Sequence, residues 1–348
     1  DTPAFMSVAT FGAVRGVSAD ELEALGAQIL LGNAYHLHER PGEDVIASCG
    51  GLHGFTGWRR PWLTDSGGFQ VTSLADRVRV DEEGVTFSSP LDGRRRQLTP
   101  EKVVAIQESL GSDVAMVLDE CLPAEPDAPD GGLRAERAAE RTLRWAERSR
   151  AARRRPDQAL FGIVQGGLSE ALRRQSARRT CEIGFDGYAH GGLGLGDEPE
   201  RRRDLVAAVH AELPETSPHY LMGLGKPADL LDGVANGVDL FDCVVPTRNG
   251  RHGLLYTRDG ALQVKRAAFR TDSGPPDPSC DCSTCGRVSR AYLHHLIRAG
   301  EVLGARLASI HNLRFYMRLL EDARRAIDDG HFAAFHRERV DRSGPVEN

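Results

Sequence analysis

Short apolar runs punctuate the chain, each closing on a polar or glycine-rich segment. They fall at 5–9, 29–31, 62–63, 114–118, 160–164, around Tyr188, at 220–222 and at 238–241. Runs of this length between turn-forming residues read as buried strands. After the first few, each is followed by a stretch of helical periodicity. Residues 136–154 place Ala138, Thr142, Trp145, Ala146 and Ser149 on one face, with Arg and Glu opposite. Thr99-Pro100-Glu101 is a cap followed by Pro at the first helical position, and Val103, Ile106 and Leu110 supply that helix's inner face. Eight such runs predict an α/β protein, a (β/α)8 TIM barrel. The rhythm breaks around 66–98. There 78–80, 85–87 and 91–96 alternate about Glu83-Gly84 and Asp92-Gly93, the pattern of an inserted antiparallel β element.

The length of 348 residues and an apolar content of 40% suit a large barrel with a small added module. Residues 273–278, Ser-Gly-Pro-Pro-Asp-Pro, mark the edge of that module. The expected organisation is a catalytic barrel over 1–270, a small C-terminal subdomain over 271–325, and a helix and tail over 326–348 packing back on the barrel. No apolar run is long enough for a membrane span and no signal peptide opens the chain, so a cytoplasmic enzyme is expected. The first residue is Asp1 rather than Met, and further residues are expected ahead of it.

Polar residues follow the apolar runs in a consistent way. Asn33, Asp65, Asp119, Gln165, Gly191-Gly192, Gly223 and Asp242 come after successive runs, and in a barrel all would gather at the C-terminal mouth. Asp242 closes a buried run, and Arg248 and Arg251 follow among Asn249 and Gly250. One reading is an Asp ion-paired to a nearby Arg; the other is a nucleophile beside phosphate-holding arginines. Asp65 before Ser66-Gly67-Gly68 also reads as a loop cap, and Asp119 and Gln165 as satisfied polar groups at strand ends. The net charge of −6 argues mildly against nucleic acid, whereas the clusters at 94–96, 153–155, 201–203, 248 with 251, and 265–266 argue for it.

Three of the seven cysteines, Cys280, Cys282 and Cys285, crowd into six residues, which fits metal ligation better than a disulfide framework. With His311 as fourth ligand they form a Cys3His set suited to a structural zinc ion. His294 and His295 compete for the fourth position, and a Cys282–Cys285 redox pair is the alternative. The following helix carries Tyr292, Leu293, Leu296 and Ile297 as an apolar face for the barrel or a second subunit.

Together, Asp65-Ser66-Gly67-Gly68-Phe69-Gln70, Leu118-Asp119-Glu120-Cys121, Gly162-Ile163-Val164-Gln165-Gly166-Gly167, Gly191-Gly192-Leu193, Leu221-Met222-Gly223, Phe241-Asp242-Cys243-Val244 with Pro246-Thr247-Arg248, and the Cys3His set resemble the tRNA-guanine transglycosylase family, bacterial type. The resemblance implies exchange of guanine at the wobble position of tRNAs with GUN anticodons (Asp, Asn, His and Tyr) for 7-aminomethyl-7-deazaguanine (preQ1) or queuine. It casts Asp242 as the nucleophile on ribose C1′ and Asp65 as general acid/base. Asp119, Gln165, Gly192, Leu193, Met222, Phe69 and Cys121 would bind the base; Arg248, Arg251, Asn33 and Lys226 would meet the tRNA. It also implies a structural zinc and a homodimer.

Asp197 stands where bacterial relatives usually carry Glu, as a shorter carboxylate for the aminomethyl group, and Gly194 and Leu195 also depart from the expected pair. Cys121 keeps the bacterial pattern, which favours preQ1. Two rivals are a non-catalytic RNA-binding subunit, which would lack the active-site carboxylates, and a sugar hydrolase using Asp65 and Asp242, which would have no use for a guanine-shaped set.

Overall fold

The computed structural model describes residues 1–74, 76–123 and 131–342. Residue 75 of the expected insertion and 343–348 of the expected tail lie outside the described residues. Each of the eight apolar runs is a strand: β1 (Ala4–Val8), β2 (Leu30–Gly32), β3 (Trp62–Thr64), β7 (Val114–Met116), β8 (Ala159–Val164), β9 (Gly187–His190), β10 (His219–Leu221) and β11 (Leu240–Cys243). They close in chain order into an all-parallel barrel, with β11 returning to β1. Between β3 and β7 lies the inserted antiparallel sheet, β4 (Asp76–Asp81), β5 (Gly84–Ser88) and β6 (Arg95–Leu98). Its third strand begins at Arg95, later than the alternation from 91 predicts, because the turn closes through Gly93 N–H to Ser89 O and Ser89 N–H to Arg94 O. A helix, Gly68–Leu74, precedes this sheet.

Strand pleating sorts side chains into two clusters. Ala4, Met6, Leu31, Leu63, Ala115, Tyr220 and Leu240 pack together and fill the barrel. Phe5, Leu30, Trp62, Leu221 and Phe241 join helix residues such as Val103, Ile106, Leu230 and Tyr316 outside it. Asp242 has the inward parity of Leu240 and lies in register with Met6.

Beyond the barrel come the hairpin β12 (Leu254–Thr257) and β13 (Gly260–Gln263), then helices Arg290–Ala299, Val302–Asp328 and Phe332–Arg342. The long helix is tied to the barrel by Arg324 donating to Pro3 O at 2.6 Å and Arg314 to Leu25 O at 3.2 Å. The last one is tied by His336 Nε2 and Asp232 Oδ1 at 2.8 Å. No helix among the described residues is long and apolar enough to cross a membrane.

Candidate active site

At the C-terminal ends of the barrel strands lies a cavity of about 380 Å³. Asn33, Asp65, Phe69, Asp119, Cys121, Gly192, Leu193, Met222 and Asp242 all line it. The lining residues come from the ends of seven of the eight strands, β8 excepted, because parallel strands end at one face. Gln165 is buried just behind the wall, where its Nε2 donates to Asp119 Oδ2 at 2.7 Å. Two glycines make that arrangement possible. A Cβ on Gly191 would lie 2.5 Å from Gln165 Nε2, and one on Gly192, at φ +67°, 2.6 Å from Gln165 Oε1.

Asp242 is buried, and its Oδ1 accepts from the Tyr220 hydroxyl at 2.6 Å and from Gly223 N–H at 2.7 Å. Both donors converge on one oxygen, leaving Oδ2 without a hydrogen bond among the described residues, and a carboxylate oxygen so left is chemically able to act as a nucleophile. Burial raises its pKa, and the two donors oppose that rise. Tyr220 was not among the residues singled out from sequence, since a Tyr in an apolar run reads as core. Tyr220→Phe deletes a bond to a charged group, a loss of about 1.5–3 kcal/mol. The expected result is a fall in turnover on the order of 10- to 100-fold, with the acid limb of the pH–rate profile moved upward.

Asp65 is held differently. Its oxygens accept from the Asn33 side-chain amide, from Ala34 N–H at 2.9 Å and from Gln70 Nε2 at 2.9 Å. Burial, aided by the charge of Asp242, nevertheless pushes its pKa up to about 7. A carboxyl group poised near neutrality can give or take a proton. Asn33, expected at the tRNA, is buried with the acid as its partner. Asp119 is pushed up to about 6 by burial, against the opposing pull of the Gln165 amide. Three buried carboxyl groups on one small cavity favour a ligand that brings hydrogen-bond donors or developing positive charge.

Around this site the basic clusters separate. Arg96 pairs with Glu39 and Asp92, Arg153 with Asp186, Arg155 with Asp157, Arg202 with Asp197 and Asp229, and Arg203 with Asp232. Arg248 and Arg251, on the helix Val245–Arg251 that follows β11, make no ion pair among the described residues. Burial and the charges of Arg15 and Arg248 lower the Arg251 pKa, so three guanidinium groups share one region, Arg15 from the loop after β1 being the member that sequence reading missed. Lys226 is exposed at the start of helix Pro227–Ala235. Asp197 turns away from the cavity: it accepts from Leu195 N–H at 2.9 Å and from Arg202 Nε at 2.7 Å, and so braces its own loop.

The ligand atoms of Cys280, Cys282, Cys285 and His311 lie within 4.8 Å of one another, a set that could hold a metal ion. His311 Nδ1 is 3.2 Å from Cys285 Sγ, while Nε2 sits 2.8 Å from Tyr256 O. A ring nitrogen donating to a carbonyl leaves the other free to ligate. His294 is occupied elsewhere, with Nδ1 2.8 Å from Val264 O.

A family model described as queuine tRNA-ribosyltransferase matches residues 1–345. Curated proteins of that name are similar throughout: one from Thioalkalivibrio sulfidiphilus is 51% identical, covering 96% of this chain and 89% of its own. One from Nitrosomonas europaea is 52% identical over 97% and 90%, and one from Thermus thermophilus is 52% identical over 97% and 87%. With matching spanning nearly the whole chain and the motif residues converging on one cavity, the protein belongs to the queuine tRNA-ribosyltransferase family, the tRNA-guanine transglycosylases.

Proposed function

We propose that the protein exchanges guanine at the wobble position of GUN-anticodon tRNAs for preQ1, in the cytoplasm, through a covalent Asp242–ribose intermediate. The observation that carries this reading is the unequal holding of two carboxyl groups on one cavity. Asp242 has one oxygen clamped and one free, and Asp65 is tuned near neutrality. Asp242 Oδ2 attacks ribose C1′ as the bond to guanine N9 breaks, and the carboxylate stabilises the oxocarbenium-like transition state. Asp65 protonates the departing base. The incoming base gives its N9 proton to Asp65 and then displaces Asp242 from C1′, so protons and electron pairs balance over the cycle. Asp119 accepts from the N1–H and exocyclic amine, while Gln165 and Gly192 N–H face the carbonyl oxygen. Adenine would leave these groups unpaired. An anticodon loop makes extrusion of the target base inexpensive.

Cys121 and Leu195 line the cavity; the acidic lining suits the ammonium that both bases carry, and side-chain bulk at these two positions supports the small aminomethyl group of preQ1 over the larger substituent of queuine. Arg15, Arg248, Arg251 and Lys226 would meet the tRNA backbone. Zinc fits the Cys3His set, since thiolates with one imidazole suit its tetrahedral preference. A homodimer is supported by the exposed apolar side chains of Tyr292, Val302 and Leu303 beside the cysteine-rich module. The test is incubation with labelled guanine and tRNAs with or without a GUN anticodon. Incorporation confined to the GUN set is expected, and indifference to the anticodon would overturn the reading. Competition between preQ1 and queuine decides the incoming base.

Because Asp65 and Asp119 titrate near 7 and 6, kcat/KM for the incoming base is expected to rise with pH through 6–7 and then level. The same shifts carry a sign for stability. From about pH 4 to about 7 the native state keeps protons that the unfolded chain has released, so both groups make folding less favourable as pH rises through that window. A flat profile from pH 5 to 8 would remove Asp65 as the proton carrier.

A further inference from the structure

Arg173 lies on helix Glu170–Ile183 and is 0% exposed, with no carboxylate bonded to it among the described residues. Its Nε donates to Gly167 O at 2.6 Å and its Nη2 to Gly191 O at 3.0 Å. Nη1 has no protein partner among the described residues. Burial draws its pKa down to about 10, so it remains charged at neutral pH, while neighbouring His190 is pushed down to about 3, by burial first and then by this guanidinium. Burying a guanidinium for helix packing alone is costly, and an apolar side chain would serve better.

The two carbonyls it holds belong to the loops that follow β8 and β9, which flank Gln165. The first loop wraps the arginine so closely that a Cβ on Gly166 would lie 2.9 Å from Arg173 Cγ. The second contact fixes a peptide plane. In a trans peptide the C=O of Gly191 and the N–H of Gly192 point in opposite directions. A donor that anchors the carbonyl from the helix side therefore turns the N–H toward the cavity. Gly192 itself lines the cavity together with Cys121.

We propose that Arg173 is a positioning residue of the base pocket: by anchoring the Gly167 and Gly191 carbonyls with one guanidinium, it sets the Gly192 N–H and the Gln165 amide as paired donors for the carbonyl edge of a purine. This rests on the reading that the cavity binds guanine. Arg173→Met removes the anchor at similar length, whereas Arg173→Lys offers a compact ammonium that holds one carbonyl at a time. Binding of guanine and of 2-aminopurine, which lacks the carbonyl oxygen and with it the N1–H, is measured by calorimetry on the full chain, with thermal melting as the check on folding. Arg173→Met is expected to weaken guanine about tenfold or more, the order of one lost oriented donor, and to leave 2-aminopurine and tRNA within about twofold of wild type. Should Arg173→Met not fold, Arg173→Lys carries the test, with guanine about threefold weaker or more and 2-aminopurine unchanged. An equal loss for both bases, or no loss for guanine, would overturn the proposal. A wild-type protein that fails to prefer guanine over 2-aminopurine would instead overturn the reading of the cavity.

Discussion

Asp242→Asn is expected to lower guanine exchange by at least about three orders of magnitude, about 4 kcal/mol of barrier, with the fold intact. The amide keeps the shape of the side chain, and its oxygen can still accept from Tyr220 and Gly223, whose bonds to Asp242 measure 2.6 and 2.7 Å. On the mechanism proposed above, what disappears is the nucleophile and the negative charge that would face ribose C1′. Single-turnover incorporation of labelled guanine measures the rate, and a denaturing gel measures the covalent protein–tRNA adduct. Wild type should yield both signals and the variant neither. The melting temperature should not fall, because a buried carboxylate whose pKa burial has raised is not a source of stability at neutral pH. Undiminished incorporation by the variant would take Asp242 out of the chemistry.

With zinc in the Cys3His set as proposed, stripping it, or replacing Cys282 by Ser, is expected to lower the melting temperature by about 10 °C or more, in keeping with the roughly 10–16 kcal/mol that structural zinc contributes in small modules. Cys282, Cys285 and His311 are all buried, so without an ion their ligand atoms face one another with nothing between them to balance. The damage should spread to activity, although no ligand lines the cavity. Beside His311 on the same helix, Asn312 accepts from Tyr256 N–H at 3.0 Å and donates to Pro246 O and Leu254 O, each at 2.9 Å. Pro246 opens the helix that follows Asp242. Calorimetry before and after chelation, with metal content measured and zinc added back, tests the coupling. Unchanged unfolding of fully stripped protein would show the cluster to be dispensable.

Much of the barrel was legible because its signals are local. Each apolar run became a strand, and the shift of the last one, from 238–241 to Leu240–Cys243, places Asp242 inside β11 rather than at its edge. The segment after it reads as a turn, given Asn249 and Gly250, yet it forms the helix Val245–Arg251. Pro246 in the first turn favours that start. Gly250 serves contact rather than flexibility, since a Cβ there would lie 3.0 Å from the backbone of Ala308 on the long C-terminal helix. Arg173 had no sequence signal, because Arg173-Arg174 on a helix looks the same whether it faces water or a buried loop.

By itself the sequence determined that the polar residues sit at one end of consecutive strands and that Cys280, Cys282 and Cys285 crowd together at ligand spacing, because strand period and close spacing are properties of neighbouring residues; that His311 joins them, with His294 engaged by Val264 O, came from the structure. Only the tertiary structure decided which group each side chain meets: Asn33 with Asp65, Tyr220 with Asp242, Gln165 with Asp119 and Arg173 with two loop carbonyls. Proton affinity and hydrogen-bond direction depend on burial and on partners from distant segments, and no local pattern of residues encodes them.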